Sequence, residues 1–263
     1  DRGLRRTELM DWIKSPVFLI EDKPPTSSMN LGRDFHEFFL QPKLFQNNYA
    51  FEPELFSTAG FDRRKSENKA AVADFISKNI GKKILKHDVK LQFFAMRDSI
   101  LAHPAARQLW EKASTVESTC FYDLIDGALA GKARLDIESE GADGEPVIVD
   151  LKTTVSCHPD EVAGQINRFD YHRQAAFYLD AYEKVKQSCS KFILIMVEKT
   201  EPFRTQVYLL SPEDIALGRA LNSKSISEFL KWLEHREIHR YYSPDILVAR
   251  LPEWAHAERG TGW

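Results

Sequence analysis

Apolar and polar positions follow two different rhythms along the chain. From Thr7 to Lys14, through Leu31–Leu40, from Ala70 to Lys83 and across Val89–Ala102, apolar residues return every three or four positions. That is the spacing of a helix with one buried face. The first of these helices stops ahead of Pro16, where an apolar run follows, and the last ends near Pro104. "PPTSSMN" (Pro24–Asn30) reads as a loop whose serines and asparagine offer an N-cap to the next helix. The stretch from Gln41 to about Lys69 reads as loop-rich.

Past Ser118 the period becomes two. Ser118–Asp126, Ala128–Ser139 and Pro146–Thr154 read as strands separated by turn residues, and Lys191–Lys199 and Arg204–Ser211 as two more. Between the two groups Glu161–Val185 reads as one long amphipathic helix, and a helix over Pro212–His239 closes the pattern. Strands, helix and strands in one block predict an α/β fold, a central mixed β-sheet flanked by helices. One domain is expected over 1–263: a mainly helical, loop-rich part to about residue 110, a sheet-bearing part over 115–240, and a tail from 241.

"ARLDIESEGADGEPVIVDLKTT" (Ala133–Thr154) reads as a hairpin turning around Asp143. That centre sets Asp136 opposite Asp150, Arg134 opposite Lys152 and Glu138 opposite Ile148. Alternation puts Leu135, Ile137, Val147, Val149 and Leu151 on one face, the core face, and Arg134, Asp136, Asp150 and Lys152 on the other. Two carboxylates then face each other with β-carbons roughly 5 Å apart, which is destabilising unless compensated. A divalent cation held by both acids would compensate, with Lys152 beside it. A solvated outer face balanced by Arg134 and Lys152 would do so too, and the pattern leaves both readings open. Acid-x-lysine alone carries no weight: the chain holds four such triplets, close to what chance gives, and only Asp150-Leu151-Lys152 lies inside a strand-like run.

Composition narrows the class. With 43% hydrophobic and 29% charged residues the chain is an ordinary globular one, and its net charge of −3 supplies no diffuse attraction for nucleic acid. Cys120, Cys157 and Cys189 are too few for a four-cysteine metal cluster and odd in number, which fits reduced thiols in the cytoplasm. No apolar run reaches the ~18 residues of a membrane span. The chain opens at Asp1 without a methionine and is expected to be part of a longer protein.

Asp136 followed by Asp150-x-Lys152 on the next strand resembles the PD-(D/E)xK nuclease signature. Gly32-x-x-x-His36 in an early helix and Gln174-x-x-x-Tyr178 in the helix after the hairpin resemble the RecB-like subgroup. "FDRRKSE", "AHPAARQLW", "ESTCFYD" and "YHRQAAFYL" resemble the nuclease domain of RecE-type exonucleases (exonuclease VIII), over roughly Ser15–Tyr242. Leu135 stands where the signature carries proline. The resemblance implies a restriction-endonuclease-like core. It also implies a metal centre of Asp136, Asp150 and the Leu151 carbonyl, completed by His36 and Glu117, with Lys152, Gln174 and Tyr178 serving catalysis. Without it, His36 among phenylalanines would pack as core and Glu117 would be an exposed strand end. The implied cofactor is Mg²⁺, with Mn²⁺ as substitute given a histidine ligand.

The implied activity is 5′→3′ degradation of double-stranded DNA from its ends, leaving a 3′ single strand for recombination. Implied partners are duplex ends, a single-strand annealing protein and further copies in a ring. Alternatives are an endonuclease, a CRISPR-adaptation nuclease whose usual iron–sulfur cysteines are missing here, and a catalytically silent DNA-binding module. Because the net charge is negative, phosphate contacts are expected from local clusters: Arg63, Arg64 and Lys65; Lys82, Lys83 and Lys86; Lys132 and Arg134; Arg168 and Arg173. Arg33, beside Gly32, is a candidate for a terminal phosphate.

Overall fold

The computed structural model describes residues 3–14, 26–186, 189, 191–235, 246, 248 and 249. The apolar run after Pro16, the helix end beyond His235 and nearly all of the tail lie outside them. Among the described residues no helix is long and apolar enough to cross a membrane, and Cys120, Cys157 and Cys189 are free and buried.

The sheet is built on a long hairpin: β4 (Thr115–Ile125), β5 (Leu129–Glu140) and β6 (Pro146–Thr154). β5 pairs antiparallel with β4 along one edge. On its other edge it pairs with the short β1 (Leu4–Arg5) at Gly131–Lys132 and with β6 from Ile137 onward. Between those two stretches the edge of β5 has neither neighbour, so the sheet forks at Ala133–Asp136. β6 continues parallel to β7 (Lys191–Glu198), which pairs antiparallel with β8 (Thr205–Leu209). Parallel and antiparallel pairs coexist, and helices cover both faces, as expected.

The hairpin register holds near the turn, with Glu138 opposite Ile148, but the ladder ends at Ile137–Val149, so the expected pairs Asp136–Asp150 and Arg134–Lys152 do not form. The face assignment does not hold either. Leu135 packs in the cluster with Ala175, Ala176 and Leu179, whereas Ile137 packs with Phe35, Phe93, Val149 and Leu151. Glu117 explains the switch: its φ of 53 is left-handed, and the β4–β5 ladder skips the Glu117–Asp136 level between Val116–Ile137 and Ser118–Leu135. Alternation restarts there, so Asp136 has a buried neighbour on either side.

One core face carries α7 (Pro159–Arg168) and α8 (Tyr171–Val185), the crossover that a parallel β6–β7 pair requires. Glu161–Val185 is therefore two helices rather than one. Asp170, at φ 54, breaks them, and aspartate is among the residues that tolerate this conformation. α9 (Pro212–His235) packs so closely on α8 that a β-carbon at Gly218 would stand 2.3 Å from the His172 carbonyl oxygen. α1 (Arg6–Lys14) lies against α9, burying Leu9, Met10, Ile226 and Phe229.

The other face carries α2 (Ser27–Leu40), α5 (His87–Ala102) and α6 (Pro104–Glu111). α2 starts earlier than expected: the Thr26 hydroxyl accepts the Met29 amide at 3.2 Å, so Ser27–Asn30 form a helical turn rather than a loop. The stretch expected as loop holds α3 (Pro42–Asn48), β2 (Tyr49–Phe51) and a 3₁₀ turn at Glu54–Ser57 ahead of α4 (Ser66–Lys78). Pro42 sits in the first turn of α3, where its fixed φ suits a helix. β2 exists because a distant partner, β3 (Lys83–Leu85), pairs with it.

Candidate active site

β6 is covered on both faces, so the solvated-face reading fails. Asp150 is 1% exposed, and Lys152 lies under α8. Asp150 Oδ1 accepts from Gln174 Nε2 at 2.8 Å, and Gln174 Oε1 accepts from Lys152 Nζ at 3.0 Å. Lys152 Nζ stands 2.5 Å from Asp150 Oδ2 and 4.9 Å from the centre of the Tyr171 ring. That ion pair is the contact that holds the buried Asp150 Oδ2. Tyr171, Gln174 and Tyr178 step along one helix face, a spacing that could have added Tyr171 to the sequence candidates.

Asp136, just beyond the end of the β5–β6 ladder, still reaches β6: its Oδ2 accepts the Leu151 amide at 2.9 Å and lies 3.5 Å from His36 Nδ1. His36 arrives because Gly32, one turn earlier, lets α2 approach β6; a β-carbon there would be 3.1 Å from Thr153 Oγ1. Ligand atoms of His36, Glu117 and Asp136 lie within 4.8 Å of one another. These residues, with Gly32, Arg33, Arg134 and Tyr178, line a pocket of about 470 Å³ at the fork in the sheet. Arg134, largely exposed, ion-pairs with Glu117.

Burial pushes the Asp136 carboxyl well above the usual range, and the charge of Asp150 adds to it against the pull of Lys152. Burial also pushes the His36 imidazole down, with Asp150 opposing and Lys152 assisting, so the ring favours its neutral, ligating form. Lys152 is raised: burial disfavours its charge, but Asp150 and Asp136 outweigh that. Burial and the same two acids push the Tyr178 phenol up to about 12.

Three nitrogen or oxygen donors converging from α2, β4 and β5, two of them carboxylates, fit a hard divalent cation. The structure thus brings together Asp136, Asp150, Lys152, Gln174, Tyr178, His36, Glu117 and Leu151, and sets Arg33 and Arg134 at the pocket. Asp150 faces Gln174 and Lys152 instead of joining the three clustered ligands.

The remaining arginine and lysine candidates fare differently. Arg173 is 7% exposed and bonds Asn222, Ser225 and the Leu221 carbonyl on α9, so it holds helices together and cannot reach a phosphate. Arg63 and Arg64 are ion-paired with Glu52 and Asp62, away from the pocket residues, while Lys132 lies over the Phe121 ring. One residue was not foreseen. Arg6 Nη2 donates to the carbonyls of Phe169 and Asp170 at 2.7 and 3.1 Å, and Asp170 O also accepts the Gln174 amide. Arg6 thereby steadies the turn that aims Gln174, and no local pattern marks a guanidinium whose partners are backbone atoms so distant in sequence.

A family model described as "PDDEXK-like domain of unknown function (DUF3799)" matches residues 19–241. The crystal structure of a putative exonuclease from Eubacterium rectale is similar, with a TM-score of 0.57 at 9% identity over 98% of this chain and 93% of that one. At that identity the likeness shows a shared fold alone. A second solved structure, SSO0001, matches at 15% identity over 73% of this chain and 85% of that one, with a TM-score of 0.31. No curated protein matches.

Proposed function

The chain belongs to the DUF3799 family of PDDEXK-like domains, and from that premise we propose that it is a Mg²⁺-dependent exodeoxyribonuclease of RecE type. PD-(D/E)xK nucleases use divalent metals. The observation that carries the reading is the His36–Glu117–Asp136 cluster of converging ligand atoms beside the buried Asp150–Lys152–Gln174 network.

His36, Glu117 and Asp136 would hold the cation with the Leu151 carbonyl, while Asp150, turned to Gln174 and Lys152, keeps that lysine beside it. When bound, it lowers the pKa of a coordinated water and offsets charge gathering on the phosphate. The protein supplies the rest. Lys152 keeps its proton in this arrangement, so it acts as a donor that orients the attacking water or grips a phosphate oxygen. Gln174 fixes Lys152 and Asp150 relative to each other, and Tyr178 closes the pocket wall as a neutral phenol. Arg33 and Arg134 stand at the mouth, where a phosphate backbone would approach.

The similarity to a putative exonuclease and the RecE-like motifs favour duplex DNA ends as substrate, with 5′→3′ polarity and a 3′ strand left for recombination. A ring of copies and a single-strand annealing partner complete the proposal. A ring admits DNA only through an end, so linear plasmid should be degraded by the Mg²⁺-loaded protein while its covalently closed form survives. Equal degradation of both forms would replace this reading with an endonuclease.

A further inference from the structure

Glu37 and Gln41 line the pocket of the candidate site, and their neighbours Phe38 and Pro42 line a second one, of about 430 Å³. Its walls are aromatic: Phe38, Phe45, Tyr49, Phe51 and Phe94. Phe45 and Tyr49 are buried and stacked 4.4 Å apart at 5°, forming the floor. Phe38, Phe51 and Phe94 keep part of their surface in solvent, and the Phe94 ring lies 5.4 Å from that of Phe38.

Cations border this slot. Lys82 lines it, held at 2.7 Å from the Gln46 carbonyl. Lys90 Nζ and the Arg97 guanidinium stand 6.0 and 4.5 Å from the centre of the Phe94 ring. Nearby acids already have partners: Asp34 with Lys83, Glu37 with Asn48 and Asp98 with Arg97. A flat apolar slot rimmed by lysine and arginine is complementary to a flat group that carries an anion on a short tether. An unstacked nucleobase on its sugar–phosphate has that form, and every base offers a face for stacking.

We propose that this groove holds an unpaired base of single-stranded DNA beside the cutting site, with Lys82 and Lys90 taking the flanking phosphates. The role rests on the nuclease reading, which supplies the DNA; the binding itself does not. α2 carries His36 into the first pocket and Phe38 into the second, so a strand separated at one is within reach of the other. Stacking tolerates any sequence, as a degrading enzyme requires.

The test is fluorescence anisotropy in EDTA, where nothing is cut, with a labelled oligothymidylate and an abasic deoxyribose–phosphate oligomer of equal length at one salt concentration. The oligothymidylate should bind about tenfold more tightly. Phe94→Leu, which keeps the apolar fill but removes the ring, should abolish that preference. Lys82→Gln should weaken both oligomers alike. Equal binding of the two oligomers by the unaltered protein, or a preference that survives Phe94→Leu, overturns the proposal; should Phe94→Leu not fold, the first comparison decides. Duplex hydrolysis with Mg²⁺, measured separately, reports on the nuclease reading: cleavage without base preference sinks only the groove, and base preference without cleavage sinks only the nuclease.

Discussion

Glu138 and Asp136 lie two residues apart on β5, both buried or nearly so, in opposite electrostatic company. Both oxygens of Glu138 accept from Lys186 Nζ at 2.6 Å, and the Ser118 hydroxyl donates to the same carboxylate. Its charge is matched and its lone pairs are used. Asp136 has the Leu151 amide and an imidazole that burial keeps neutral, and it shares one lysine's field with Asp150, which pairs with that lysine directly. A completed ion pair at the closed end of the hairpin is scaffold. An incomplete one at the fork is where the proposed cation would sit.

The largest expected difference between the two acids is their response to metal. Mg²⁺ at a hundredfold its dissociation constant should stabilise the protein by about 2.7 kcal/mol, and Ca²⁺, which carboxylates also bind, should do likewise. Asp136→Asn should lose most of that gain, and Glu138→Gln should keep it. Urea unfolding with and without the ion measures it, and equal gains in both variants would break the comparison.

Without metal, the variants should move in opposite directions. Glu138→Gln removes the partner of Lys186, whose ammonium can turn to water, and should cost about 1–2 kcal/mol. Asp136→Asn keeps an acceptor for the Leu151 amide and removes a repelling charge, so it should be neutral or stabilising by up to about 1 kcal/mol. A matching loss in both would mean that Asp136 is scaffold too.

The smallest expected effect is in pH. The Asp136 carboxyl is raised in the folded protein, so the folded chain keeps a proton that the unfolded chain, with a pKa near 3.9, releases first. Its contribution to the stability of the metal-free protein is therefore full below about pH 4 and is lost as pH rises through the raised value. Asp136→Asn should flatten that fall in urea titrations across the acid range. An unchanged slope would assign it to other groups.

The hairpin register near the turn was legible because a turn centre determines it, and the two motifs that singled out His36, Gln174 and Tyr178 named side chains that the fold gathers around Asp136 and Asp150. The face switch at Asp136 was not, because it comes from the backbone of Glu117 on a neighbouring strand. The break at Asp170 hid inside an uninterrupted amphipathic pattern. Arg173 looked like a surface cation because nothing local shows that α9 would cover it and supply Asn222 and Ser225. Distant partners likewise decided β2 and Arg6. Local chemistry singled out the candidates; long-range packing decided which of those charges reach the pocket.

The most direct measurement follows both ends of an end-labelled linear duplex incubated with the purified protein, with and without Mg²⁺, beside Lys152→Ala. Cleavage should require the metal, begin at the ends, and fall by about 10²–10³-fold in the variant, the range for loss of one donor aimed at charge that develops at the reacting centre. Cleavage without any divalent ion, or undiminished cleavage by Lys152→Ala, would contradict the account.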